Sequence, residues 1–223
     1  MTNPRAKSKI KIMIRAVIFD LDGVVVDTEP LWFETYSRVC RGYGFKFTEE
    51  LDKLVKGRSN VSLPITTALG IPEKQTEFSE KIRKIYRTLF DREAKLMPAA
   101  FELLKKLKKD YLLGMATSAS SERLTFNLEK FPQIKSLLNS AVSGSEVKNG
   151  KPKPDIFLLT AKKLKVRPEE CLVIEDAESG VAAAKSAGMK VIGLNPGHVT
   201  PQDLSKADRV VSSLSEVDLD SFR

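Results

Sequence analysis

Short apolar runs without polar alternation recur along this chain, and the stretches between them carry helical periodicity. Runs of this kind read as strands buried on both faces. Strands that alternate with helices predict a parallel sheet with helices on either side. The strand candidates are residues 16–19, 111–116, 141–142, 171–174, 191–194 and 209–211, with helices expected at 121–130, 154–164 and 179–187.

One connection breaks the rhythm. Roughly 80 residues separate the first run from the second, against the ~10–12 of an ordinary crossover. Helical patterns fill the gap at 31–41, 48–56, 62–69 and 73–92, the last with Phe78, Ile82, Ile85, Tyr86 and Phe90 on one face. Pro98 marks a boundary, and 99–109 is again helical. The expected architecture is α/β: a Rossmann-like parallel sheet with helices on both faces, formed by residues 15–29 and 94–223. A small all-helical cap over residues 30–93 is inserted after the first strand, where it can exclude water from the strand ends. Residues 1–14 read as a basic, disordered tail.

Composition bounds the rest. A chain of 223 residues with 42% apolar content can build a real core, and no stretch approaches the ~20 apolar residues of a membrane span. Cys40 and Cys171 do not make a disulfide framework, so a reducing cytoplasm is the expected setting. The net charge of +8 comes from the tail and from lysine clusters at 105–109 and 162–165. Those clusters read as solvated helix faces. No basic–aromatic interleaving suggests nucleic acid.

Chemistry concentrates where the apolar runs end. Residues 16–19 lead into Asp20-Leu21-Asp22-Gly23. Two carboxylates at a strand exit need a cation or a shared proton to offset them. Three readings are open: a Mg²⁺ site, a carboxylate nucleophile with a partner acid, or both; the plain alternative is an Asp-rich turn. The second run ends in Thr117-Ser118-Ala119-Ser120-Ser121, whose hydroxyls and N–H groups precede a helix and suit phosphate. After the third comes Gly150-Lys151-Pro152-Lys153-Pro154-Asp155, in which two prolines stiffen the backbone around Lys151. The fourth ends in Glu175-Asp176. In open α/β sheets ligands bind beyond the carboxyl ends of the strands. If the first and fourth strands are neighbours, four acids converge and call for a divalent metal together with the lysine.

This combination resembles the haloacid dehalogenase superfamily of phosphotransferases. The stretch from Asp20 to Glu29 is similar to the branch with a helical cap after the first strand, which includes sugar-phosphate phosphatases and β-phosphoglucomutase. The resemblance implies Asp20 as the nucleophile that becomes an aspartyl-phosphate. It implies Asp22 as general acid/base, lending its carbonyl to Mg²⁺, and Asp20 with Asp176 as metal ligands. Glu175 is an extra ligand in some members. Lys151 and a hydroxyl at Thr117 or Ser118 are implied to hold phosphate.

An acid at Asp22 sets aside the dehalogenase and phosphonatase branches. The cap histidine of β-phosphoglucomutase falls on Trp32 and its cap arginine on Asn60, with Arg58 displaced, which favours a phosphatase over a mutase. Trp32, Lys56 and Arg58 are the candidate cap contacts to substrate. His198 reads as a loop residue. The expectation is a monomeric, Mg²⁺-dependent phosphatase for small phosphorylated metabolites, with a β-phosphoglucomutase-like isomerase as the alternative. A non-catalytic phosphate-binding protein is a third reading, disfavoured by the intact acidic set.

Overall fold

A computed structural model describes residues 13–55, 61–197 and 202–222. The chain opens with β1 (Ala16–Phe19) and β2 (Val26–Asp27). It then runs through the helices α1 (Glu29–Arg41), α2 (Glu49–Val55), α3 (Ser62–Ala68) and α4 (Gln75–Glu93) before β3 (Lys95–Leu96). After α5 (Ala100–Leu107) come β4 (Leu112–Thr117), α6 (Ser121–Lys130), α7 (Pro132–Lys135), β5 (Ser140–Ser143) and α8 (Asp155–Leu164). The last elements are β6 (Cys171–Glu175), α9 (Glu178–Ser186), β7 (Lys190–Leu194) and β8 (Arg209–Val211).

Six of the strands form one parallel sheet in the order β5-β4-β1-β6-β7-β8. Side chains alternate between its two faces. Val17, Phe19, Leu113, Met115, Leu172 and Ile174 feed one buried cluster. Ala16, Ile18, Ala116, Val142, Cys171 and Val173 feed the other. Both faces are covered, which is why these strands read as unbroken apolar runs. The strand order reverses at β1: the chain builds outward through β4 and β5 on one side and through β6, β7 and β8 on the other. The carboxyl end of β1 is therefore the topological switch point.

The long connection after β1 is helical, as expected. α1 to α4 enclose a separate apolar cluster that includes Tyr36, Val39, Cys40, Phe47, Leu51, Ile65, Phe78 and Ile82. This small all-helical cap is joined to the sheet domain through an antiparallel ribbon of β2 and β3, with Val26 opposite Leu96 and Asp27 opposite Lys95. The ribbon was not expected from sequence, because two-residue strands carry no periodicity. The helix expected at 73–92 begins instead with a 3₁₀ turn at Pro72–Lys74 and continues as α4. Cys40 and Cys171 are buried and unpaired with each other. Among the described residues, no helix is long and apolar enough to cross a membrane.

Candidate active site

β1 and β6 run side by side, Phe19 opposite Ile174, and the Asp20 N–H donates to the Ile174 carbonyl at 3.0 Å. That register sets Asp20 beside Glu175, each almost fully buried. Lys151 reaches them from the loop before α8. Its Nζ donates to Asp20 Oδ1 and to Glu175 Oε1, both at 2.5 Å, and more weakly to the Ala116 carbonyl at 3.4 Å. The second oxygen of Glu175 accepts the Ala177 N–H at 2.8 Å. α9 can approach this carboxylate because Gly180 has no side chain; a Cβ there would collide with it.

Gly23 turns the chain after Asp22 with φ at +78°, a conformation glycine adopts without penalty. A Cβ at this position would also run into the Asp176 carboxylate. Glycine is thus required twice over, by the backbone and by the acid packed against it. Asp22 Oδ2 accepts from Arg123 Nη2 at 2.8 Å and from the Thr117 hydroxyl at 3.4 Å, while Asp22 Oδ1 is buried with no partner among the described residues. Thr117 Oγ1 also accepts the Ala119 N–H at 3.0 Å, fixing the loop after β4.

These groups form one wall of a cavity of about 450 Å³, within the usual range for small-molecule sites. Ser118 and Asp176 line the same wall. The helical insert supplies the facing wall through Trp32, Tyr36, Ile82, Arg83 and Tyr86. Trp32 stacks on Tyr86 at 3.9 Å and on Tyr36 at 5.6 Å.

At the strand ends, Asp20, Asp22, Glu175 and Asp176 gather around Lys151, and Arg123 pairs with Asp22. Burial pushes Asp20 up to about 7, only partly countered by Lys151, and the neighbouring Glu175 and Asp22 charges add to the rise. Asp176 is raised well above the ordinary carboxylate value by burial, then by Glu175 and Asp20. Burial works against the charge of Lys151, but Asp20 and Glu175 outweigh it and hold the ammonium on. A bound cation would favour the ionised forms of Asp20 and Asp176 that burial now opposes. Among the described residues, no three acidic side chains form a closed chelating cage. That is compatible with Mg²⁺, which is commonly held by one or two carboxylates and keeps several waters.

Comparison with known proteins identifies the family. The sequence pattern of the haloacid dehalogenase-like hydrolases matches residues 17–194. The chain is a haloacid dehalogenase-like hydrolase. It is 37% identical to a phosphorylated carbohydrates phosphatase of Thermotoga maritima over 92% of this chain and all of that one. It is 33% identical to β-phosphoglucomutase of Bacillus subtilis over 93% of each chain. The crystal structure of β-phosphoglucomutase from Clostridium difficile superposes with a TM-score of 0.78 at 27% identity, covering 94% of this chain and 95% of that one.

Within this haloacid dehalogenase-like hydrolase, Asp20, Asp22, Thr117, Ser118, Lys151, Glu175 and Asp176 all border one cavity, although they come from three strand ends and the loop before α8. Trp32 borders it too and also packs against two tyrosines. Lys56, Arg58, Asn60 and His198 lie outside the described residues. Sequence reasoning missed Arg123. Its only signal was position: the first turn of the helix that follows the hydroxyl-rich strand end, with Ser120 capping that turn by accepting the Arg123 N–H at 3.3 Å.

Proposed function

We propose that this enzyme hydrolyses phosphate monoesters of small metabolites, sugar phosphates foremost, with Asp20 as nucleophile. The observation that carries the reading is Lys151 bonded to both Asp20 and Glu175 at the ends of adjacent strands. A phosphoryl group and a carboxylate repel each other, and phosphoryl transfer depends on positioning and charge neutralisation. Lys151 holds Asp20 Oδ1, leaving the other oxygen to attack phosphorus. The phosphorus–ester oxygen bond breaks as Asp22 passes a proton to the departing alkoxide. Asp22 then takes a proton from the water that cleaves the aspartyl-phosphate, returning Asp20 and releasing phosphate. Thr117 and Ser118 hold phosphoryl oxygens. Asp20, Asp176 and the Asp22 carbonyl would hold Mg²⁺, which when bound neutralises charge on the phosphoryl group; Glu175, its two oxygens taken by Lys151 and the Ala177 N–H, would orient the lysine beside it.

Residues 30–93 act in this reading as the cap that excludes water, over a catalytic core of residues 15–29 and 94–223. Trp32, with Lys56 and Arg58, contacts the rest of the substrate. A phosphatase acting on phosphorylated carbohydrates among the relatives supports the substrate class. Two free, buried cysteines are consistent with a cytoplasmic setting, and a monomer suffices for the chemistry.

A panel of phosphate esters assayed with Mg²⁺ and with chelator tests the reading. Metal-dependent, steady release of inorganic phosphate is expected. Interconversion of glucose 1-phosphate and glucose 6-phosphate without net release would overturn it in favour of the isomerase, the reading that the β-phosphoglucomutase relative keeps in play.

A further inference from the structure

Arg123 belongs to the sheet domain, at the start of α6, yet two aromatic rings of the helical insert cover it. The guanidinium lies 5.0 Å from the Trp32 ring and 5.9 Å from Tyr86. Such cation–π contacts strengthen as water is excluded, and three-quarters of the Arg123 side chain is out of solvent. Below the rings, Arg123 Nη2 donates to Asp22 Oδ2 at 2.8 Å. The Thr117 hydroxyl approaches the same oxygen from β4 at 3.4 Å. Asp22 is therefore held through one oxygen only, while Oδ1 is buried and has no partner among the described residues. An ion pair that served only packing would gain by satisfying both oxygens, since a buried unpaired acceptor is costly.

We infer that Arg123 is a positioning residue that fixes Asp22 through Oδ2 and reserves Oδ1 for the proton exchanged with the leaving group and the water. The planar guanidinium suits this task. It is clamped between a carboxylate and two rings, and a lysine ammonium can reproduce neither the stacking nor the directed N–H. The inference rests on the acid/base role given to Asp22, and it adds a requirement: the rings of the insert must be in place for Asp22 to be aligned.

The test is a double-mutant cycle on the full-length chain with Mg²⁺ and an alkyl phosphate ester such as a sugar phosphate, whose alkoxide needs a proton to depart. Arg123→Ala is expected to lower kcat by about 10²-fold, the usual cost of misplacing a reacting group, with KM changed less than about threefold. In an Asp22→Asn background the same substitution is expected to cost nothing further, because its effect passes through Asp22. Ethylguanidinium should partly restore Arg123→Ala and leave Asp22→Asn/Arg123→Ala unchanged, a response that repair of general packing would not give. Should Arg123→Ala fail to fold, Arg123→Lys takes its place in the cycle, with the same non-additivity expected. Losses that add in the double variant, or a loss confined to KM, would overturn the inference alone. Near-normal turnover by Asp22→Asn itself would remove the acid/base reading beneath it.

Discussion

The nucleophile proposed here should destabilise the metal-free protein, and removing its charge should make that protein harder to melt. Asp20 is buried at a site where burial raises it from the ordinary 3.8 to about 7 despite the attached lysine. An unfolded chain ionises this group above about pH 4, whereas the folded chain keeps the proton until about pH 7. Folding then takes up a proton between those values, so the contribution of Asp20 to stability is most favourable below about pH 4, falls as pH rises, and levels off above about pH 7. A difference of about three pH units at ~1.4 kcal/mol each sets a ceiling of about 4 kcal/mol. Water entry and relaxation in the cleft reduce this, and about 2 kcal/mol is the working expectation. For a domain of this size that corresponds to a rise in Tm of roughly 4–8 °C. The assay is thermal unfolding of Asp20→Asn against the native chain in chelator, at about pH 8 and about pH 4. Asparagine should melt higher at the upper pH and the two should nearly coincide at the lower. Saturating Mg²⁺ should then reverse the order, because only the native chain keeps the carboxylate that binds the ion. An asparagine variant that melts no higher than the native chain at about pH 8 in chelator would refute the claim that this charge is under-compensated.

Turnover by Asp20→Asn should be abolished while the fold persists, which a phosphate-release assay with circular dichroism will check. Asp22→Asn should lose roughly 10²–10⁴-fold in kcat, the usual share of general acid/base catalysis, read by steady-state kinetics. Lys151→Met leaves Asp20 and Glu175 facing each other without a counter-charge. Its kcat/KM should fall by more than about 10²-fold, and its metal-free form should melt lower at neutral pH. Gly23→Ala must place a side chain at positive φ and push Asp176 aside. A loss of about 1–2 kcal/mol and a shift of half-maximal activity to higher Mg²⁺ concentration are expected from denaturant titration and metal-dependent activity.

How much of this could be read from residues alone differs from element to element. The sheet was legible because both of its faces are covered, and β1 and β6 therefore stand out as Ala16-Val17-Ile18-Phe19 and Cys171-Leu172-Val173-Ile174. The meeting of Asp20, Lys151 and Glu175 followed from placing charged residues at the ends of strands that a parallel sheet brings together. The orientation of Asp22 was not legible. It depends on Arg123, which sits in the ordinary polar start of a helix between Glu122 and an apolar Leu124, with nothing local to mark it. Trp32 was readable as a cap residue, but its role as a cover for Arg123 depends on how α1 and α4 settle against α6, a matter of tertiary packing. The β2–β3 ribbon escaped because two paired residues on each side produce no pattern.

That ribbon bears on how such a molecule can change. The backbone departs from the parallel sheet and returns to it through strands hydrogen-bonded to each other, so the beginning and finish of the excursion are neighbours in space. Everything grown beyond that stalk could be lengthened, shortened or exchanged for a different lid while the switch point below keeps its geometry. Changes in the helical insert would then leave the register of β1 and β6, and with it the meeting of Asp20 and Glu175, undisturbed.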